Sequence, residues 1–285
     1  MHDFMQRFVI LSDSDTEIPF TVGGVTQHGE HTFDGQNNQD ACSLSINDKN
    51  IIAVVCDGCS GSTSLGNNMF SYAESGAQIL SALIIQHTES LLNNKYSLDE
   101  KFAKQLSTYC IDSIDKIIDI ISGKKDSYRS EYILQELFMA TIIVAVITPE
   151  YWAIFKCGDG FIGINGNFDY LNKTSSGIYI SSYLSNMINE EDRVQCNISL
   201  YKSGNTNDLD SLMIASDGMY DFWNEGKQYF NDFQQIDPKK NYKKGFDNFF
   251  LKEFRKRVTH PCNQFNFLQK DGYDDRTMIL IRRIS

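Results

Sequence analysis

Five short segments of the chain place an aspartate where an apolar run meets a turn. They are Asn38-Gln39-Asp40, Val55-Cys56-Asp57-Gly58, Cys157-Gly158-Asp159-Gly160, Ala215-Ser216-Asp217-Gly218 and Tyr273-Asp274-Asp275. The second, third and fourth follow the strand-like runs 51–55, 152–155 and 212–215, and the fifth precedes 277–281. An aspartate at the mouth of a buried strand sits on the rim of a sheet. Several rims brought together concentrate negative charge, and the natural counter-charge is a hard divalent cation, which prefers carboxylate oxygens. The pattern predicts a β-rich scaffold whose strand ends carry an all-carboxylate metal site.

The runs between these rims give the elements. Residues 51–56 are almost continuously apolar, as in a central strand buried on both faces. Residues 20–25 and 41–46 read as strands before it. Met69, Tyr72, Ala73, Gly76, Ile79, Leu80, Leu83 and Ile84 recur at helical steps, and a second stripe runs from Phe102 through Leu106, Cys110, Ile114 and Ile118 to Ile121. A short third helix is expected over 131–138, followed by a strand over 141–147 and a turn at Pro149-Glu150. Residues 151–157 and 161–164 flank Gly158-Asp159-Gly160, which reads as a hairpin. Weaker strands separated by Gly and Asn fill 166–210. Residues 219–270 are mixed, aromatic and partly helical, and a strand over 276–284 closes the chain. The first nineteen residues are polar and irregular. They are read as an extension, 1–19, before a single domain, 20–285. Strands at both ends of the sequence around central helices argue for an α+β fold.

With 26 Lys and Arg against 37 Asp and Glu, the net charge is −11. That sign disfavours nucleic acid and anionic membranes as partners. The longest apolar runs are far too short to span a bilayer. No basic segment followed by an apolar stretch opens the sequence. Seven cysteines at irregular spacing, most of them in apolar contexts, read as buried reduced thiols. A cytoplasmic protein is expected.

The six pieces Gly35-Gln36-Asn37-Asn38-Gln39-Asp40-Ala41, Val54-Val55-Cys56-Asp57-Gly58, Ala140-Thr141-Ile142-Ile143-Val144, Cys157-Gly158-Asp159-Gly160, Ala215-Ser216-Asp217-Gly218-Met219-Tyr220-Asp221 and Asp274-Asp275-Arg276-Thr277-Met278-Ile279 occur in a telling order. In that order the chain resembles the PPM/PP2C-type metal-dependent protein Ser/Thr phosphatases, notably their bacterial branch, from about residue 21 to 284. The resemblance implies an αββα four-layer sandwich of two antiparallel sheets flanked by helices. It implies two Mn²⁺ or Mg²⁺ ions, with a third in some members, and a phosphoprotein substrate. Asp57 would bridge the metals, with the Gly58 carbonyl on one of them. Asp217 and Asp274 would complete the other shell, and Asp40 would act through bound water. Asp159 and Asp221 match positions that help hold the third ion. The attacking group would be a metal-bridging water, with no covalent phosphoenzyme.

The chain departs from the family pattern at three places. Cys59 stands where a His is thought to protonate the leaving oxygen. The usual phosphate-binding Arg before the first Asp is absent, with His31 the nearest candidate for that contact. Gln39 replaces a Glu. His31 also reads as a residue that orders its own loop. Two function classes follow from the resemblance. One is hydrolysis of phosphoserine and phosphothreonine; the other is a catalytically weak or silent regulatory module of the same fold. The Cys56-x-x-Cys59 spacing alone suggests thiol redox chemistry, but it lacks the setting such a site needs. The Gly58–Gly61 loop lacks a P-loop Lys, and 13–17 lacks EF-hand spacing. The stretch 239–257 carries eight basic residues among aromatics. It reads as an amphipathic helix with a solvated cationic face, or as a docking surface for an acidic phospho-substrate. The sequence leaves the oligomeric state open.

Overall fold

The computed structural model describes residues 5–11, 18–27, 38–59, 72–123, 127–171, 179–186, 188–219 and 275–283. Strands β1 (Met5–Leu11), β2 (Phe20–Gln27), β3 (Asp40–Ile46) and β4 (Ile51–Gly58) precede three helices, α1 (Ala73–Asn93), α2 (Glu100–Ser122) and α3 (Ser127–Leu137). Then come β5 (Ala140–Ile147), β6 (Tyr151–Cys157), β7 (Gly160–Ile164) and β8 (Asn167–Leu171). A 3₁₀ turn (Ile180–Leu184) and the short α4 (Glu190–Gln195) lead to β9 (Ser199–Asn205), β10 (Ser211–Ala215) and β11 (Arg276–Arg283). The strands form two antiparallel sheets, ordered β1-β2-β11-β10-β7-β8 and β3-β4-β5-β6-β9.

The apolar run over 51–56 is continuous because β4 faces a core on each side. Ile52, Val54 and Cys56 join Ile142, Val144 and Val146 of β5 beneath the helices, where α1 supplies Ala77, Leu80 and Ile84 and α2 supplies Phe102, Leu106, Cys110 and Ile114. Ile51, Ala53 and Val55 point the other way, with Ile143, Ala145 and Ile147, to meet Ile162, Leu212, Ile214, Ile279 and Ile281 of the facing sheet. The period of two along each strand sorts these side chains between helix layer and sandwich interior. The described residues thus show a helix layer and two sheets of an α+β sandwich. The stretch 219–270, read as mixed, aromatic and partly helical, lies outside the described residues beyond Met219.

Helix α2 starts where Asp99 accepts from the backbone N–H groups of Lys101 and Phe102, and stops at Gly123 in the left-handed region. Three expectations change. The segment 1–19, read as irregular, contains β1, paired antiparallel with β2 at the edge of the larger sheet. Tyr72 and Ile121, read as stripe residues, are exposed, because one lies just before α1 and the other in the last turn of α2. The expected hairpin at Gly158-Asp159-Gly160 is a crossover: β6 pairs with β5 and β9, whereas β7 pairs with β10 and β8 in the opposite sheet. Gly158 and Gly160 take φ values of 92° and 134°, conformations that L side chains rarely adopt. A Cβ at Gly160 would also lie 2.5 Å from Ile143 Cδ1 and 2.8 Å from the Ala215 carbonyl oxygen. The chain passes there through the seam between the sheets.

Cys42, Cys56, Cys59, Cys110, Cys157 and Cys196 are free thiols. Burial pushes Cys110 up to about 12; burial and the charge of Asp40 push Cys42 to about 11. Cys56 and Cys157 are raised by burial as well. Thiolate is the reactive form, so these groups are inert in the native state. In the folded protein at pH 8, a soluble maleimide should modify Cys59, which is half-buried, well before Cys56, Cys110 or Cys157; peptide mass mapping reads the order. Because folding raises these pKa values, their contribution is intact below the ordinary thiol value of 9.0 and is lost as pH rises toward 12. Stability should therefore fall across that window.

Candidate metal centre

The alternation that builds the sandwich interior also aims the acidic residues. Asp57 follows Ile51, Ala53 and Val55 on the inward face of β4, and its cross-strand partner on β3 is Asp40. On the other side Asp57 pairs with Thr141 of β5. One row across the end of this sheet therefore reads Asp40, Asp57, Thr141. The facing sheet presents a row from β2, β11 and the end of β10: Thr26, Thr277 and Ser216. Thr26 and Thr277 hydroxyls lie 2.7 Å apart, and the Thr277 N–H donates to Ser216 Oγ at 2.9 Å.

Two contacts tie the rows together. Ser216 Oγ donates to Asp40 Oδ2 at 2.7 Å, both residues being buried. The Gln39 N–H donates to Asp275 Oδ2 at 2.6 Å. Asn38 reinforces the seam, donating to Thr26 Oγ1 at 2.7 Å while its Oδ1 accepts from the Asp40 N–H. Asp217 follows Ser216 directly. Asp159 is buried in the crossover between β6 and β7, beside the end of β10. Asp40, Asp57, Asp159, Asp217 and Asp275, remote in sequence, are thus carried to one end of the sandwich.

Backbone approaches here are close. A Cβ at Gly58 would meet the Gln39 carbonyl oxygen at 2.7 Å and that of Ala73 at 2.8 Å; one at Gly218 would meet the Asp275 carbonyl at 2.0 Å. Only glycine fits where β4 passes under the start of α1, and where the Asp217 turn passes under the start of β11. Cys59 N–H donates to the Met139 carbonyl at 2.9 Å, which fixes the chain just beyond Asp57-Gly58.

Of the residues singled out in the sequence, Asp40, Asp57, Gly58, Asp159 and Asp217 lie at this end. His31, Asp221, Asp274 and the basic stretch 239–257 fall outside the described residues. Among the described residues no three carboxylate, His or Cys side chains form a ready metal cage. The donors that are present are hard oxygens, carboxylates and hydroxyls, with Asp40 and Asp57 directly opposite across the strands. That set fits Mn²⁺ or Mg²⁺ in kind.

Three participants escape the sequence reading. Asp275 stands beside the favoured Asp274, and only the fold shows that it reaches back to Gln39. Ser216 reads as a turn residue until it is seen bonded to Asp40. Tyr179, at the start of the 3₁₀ turn, hydrogen-bonds Cys59 and lies within electrostatic reach of Asp159 and Asp57. Its phenol is held well above its ordinary value by burial first, then by Cys59 and the two carboxylates. No sequence signal marks it, because its place depends on a tertiary crossing.

No curated protein matches the chain. Among solved structures, the Ser/Thr phosphatase Stp1 from Staphylococcus aureus is 14% identical, over 93% of this chain and 95% of that one, with a TM-score of 0.45. The Mycobacterium tuberculosis Ser/Thr phosphatase PstP/Ppp is 12% identical, over 93% and 99%, with a TM-score of 0.46. RsbX in complex with magnesium is 14% identical, over 97% and 100%, with a TM-score of 0.45. Likenesses this distant carry no argument about the site. The family model described as protein phosphatase 2C, in contrast, matches residues 29–258. That span holds four of the five converging aspartates and the whole sheet β3-β4-β5-β6-β9, and with it the chain belongs to the protein phosphatase 2C family.

Proposed function

We propose that this chain is a metal-dependent protein phosphatase that hydrolyses phosphoserine and phosphothreonine esters with two Mn²⁺ or Mg²⁺ ions. The observation that supports it most is the meeting of the Asp40–Asp57 row with the Ser216–Thr277 row at one sandwich end. It is a concentration of carboxylate that the rest of the fold does not need. Asp57 and the Gly58 carbonyl would hold the ions from one sheet; Asp217 and Asp274 would hold them from the other. Asp159 and Asp221 are the candidates for a third, weaker ion.

When bound, such ions supply positive charge for the phosphate and activate a water. The protein's own residues do the rest. Ser216 fixes one oxygen of Asp40, so that this carboxylate is oriented rather than free to rotate. The bond from Gln39 to Asp275 keeps the rim of one sheet in register with the other. With Cys59 where the family places an acid, proton delivery to the leaving oxygen is weak, since a thiol is a poorer donor than imidazolium near neutral pH. Aryl phosphates, whose leaving groups need little protonation, should therefore be turned over faster than phosphothreonine. His31, outside the described residues, remains the candidate phosphate contact.

The test is hydrolysis of p-nitrophenyl phosphate and of a phosphothreonine peptide with added Mn²⁺, before and after EDTA. EDTA should lower both rates by at least about 100-fold, the scale expected when electrostatic stabilisation of the transition state is removed, and Mn²⁺ should restore them. A folded, Mn²⁺-binding protein that turns over neither substrate would overturn this reading in favour of a silent, phosphoprotein-binding member of the family.

A further inference from the structure

Strand β3 is the outer strand of its sheet, paired with β4 alone. The ladder fixes which of its backbone groups face away. The Asn47 N–H donates to the Asn50 carbonyl at 3.0 Å and the Gly58 N–H donates to the Gln39 carbonyl at 3.2 Å, at the two ends of one antiparallel register. Hydrogen-bonded pairs alternate along such a ladder, so Ala41, Ser43 and Ser45 bond to β4. The N–H and C=O groups of Cys42, Leu44 and Ile46 therefore point outward. The Asp40 N–H points outward too, and Asn38 Oδ1 accepts it. Among the described residues, nothing takes the outward groups at 42, 44 and 46. These three residues are half-buried.

Edge strands are commonly blunted by charge, proline or a bulge. Strand β9 carries Lys202 and a bulge against β6, β8 carries Asp169, and the sequence of β1 includes Arg7. From Ala41 to Ile46 the chain has no charge and no proline, and its register with β4 is unbroken. Ser43 and Ser45 turn to α1, where they meet Ser81 and Glu89. Cys42, Leu44 and Ile46 turn to the sandwich interior. Strand β3 lies against β11 and β2 of the facing sheet, which continues outward to β1. A strand added beside β3 therefore finds one face already covered. A second copy of this chain does not fit the same place. Antiparallel pairing of two β3 strands puts both larger sheets on one side, with each β1 in the other's path. The edge is also continuous with the metal centre: it runs about 20 Å from Asp40 to Ile46, at about 3.4 Å per residue. We propose that this edge binds an extended segment of the phosphoprotein substrate as an added antiparallel strand, with the phosphorylated side chain at the Asp40 end. Strand β3 runs away from the centre, so its antiparallel partner runs toward it. The recognised segment thus lies on the N-terminal side of the phosphoresidue. The inference rests on the phosphatase reading for the identity of the anion.

The experiment uses the full chain with Mn²⁺ and fluorescent peptides in which a non-hydrolysable phosphonate replaces the phosphate of phosphothreonine; anisotropy reads binding. A peptide with alternating Val and Ser on the N-terminal side of the phosphonate should bind about tenfold or more tighter than one with the same residues on the C-terminal side. N-methylation of alternate amides removes the donors of one strand edge at a time. In one phase it should weaken binding by about tenfold or more, as expected for loss of two or three backbone hydrogen bonds. In the other phase it should change binding by less than about twofold, because those amides face water. Leu44→Pro removes an outward N–H from β3. It should raise the KM for the phosphothreonine form of the peptide and leave turnover of p-nitrophenyl phosphate unchanged. No binding, or equal binding of the two N-methylation phases or of the two peptide polarities, would overturn the proposal whatever Leu44→Pro does. A dimer that Leu44→Pro dissociates, with no peptide bound, would give the edge to a second copy and overturn it as well. If binding depends on the phase but phosphothreonine peptides are not hydrolysed, the docking edge stands and the phosphatase reading fails. Hydrolysis without phase dependence does the reverse.

Discussion

Asp57→Asn should abolish Mn²⁺-dependent turnover while leaving the protein folded. The side chain sits at the last inward position of β4, directly across from Asp40 and beside Thr141. In the proposed site it would serve ions from both flanks. Replacing it by a neutral amide removes the negative charge that would hold those ions. A loss of about 4 kcal/mol of transition-state stabilisation corresponds to roughly a thousandfold in rate. Stability should move the opposite way in the metal-free protein. Like charges facing across antiparallel strands are destabilising, so Asp57→Asn should gain up to about 1 kcal/mol in the presence of EDTA. With Mn²⁺ the order reverses, because the wild type gains about 2.7 kcal/mol at an ion concentration 100 times the dissociation constant and the variant does not. Denaturant unfolding with and without Mn²⁺, beside steady-state rates, reads all three effects. A folded Asp57→Asn protein that keeps most of its Mn²⁺-dependent activity would remove Asp57 from the role assigned to it.

The legibility of this chain in sequence follows from what each residue's neighbours are. The continuous run 51–56, the alternation over 41–46 and the stripe from Phe102 to Ile118 are local patterns, and each maps onto its element within a few residues. The aspartates at strand edges are equally local, and the fold carries Asp40, Asp57, Asp159 and Asp217 to one end. The errors are of a different kind. Gly158-Asp159-Gly160 has the composition of a hairpin, and nothing within those residues says that β7 will find β10 instead of β6. The pairing is long-range: β7 lies against β10, and where the chain crosses, Ala215 and Ile143 leave room only for a glycine at 160. The strand β1 carries a local signal, the continuous apolar run Phe8-Val9-Ile10-Leu11, which the polar stretch Asp13 to Glu17 outweighs when residues 1–19 are read together. Tyr179, Ser216 and Asp275 are invisible for a long-range reason: their partners, Cys59, Asp40 and Gln39, are more than a hundred residues away.

Gly76→Ala should be the most damaging single-methyl change in the described helices, and it should reach the metal centre as well. A Cβ at residue 76 would lie 1.3 Å from the Leu137 carbonyl oxygen, a backbone atom at the end of α3 that cannot rotate aside. Either α1 or the end of α3 must move, at a cost of about 3 kcal/mol, the upper range for overpacking. For a chain of this size that is a fall in thermal midpoint of roughly 6–12 °C. Both possible movements lead to Gly58. The start of α1 touches it, since the Ala73 carbonyl blocks any side chain at 58. The segment after Leu137 holds it too, through Met139 bonded to Cys59 and Ala140 paired with Gly58. Displacement of either should shift the Asp57-Gly58 rim and lower kcat/KM by about tenfold or more in protein that remains folded, as expected when reacting groups are displaced by a fraction of an ångström to an ångström. Gly123→Ala is the matched control. It places a side chain at a left-handed φ of 76° with nothing within 4 Å, far along α2 from the rim. It should cost about 1 kcal/mol of stability and leave the kinetics alone. If Gly76→Ala melts within a degree or two of the wild type, the close approach of α1 to α3 is wrong. If it melts low with full kcat/KM, the two helices support the sandwich without positioning Gly58.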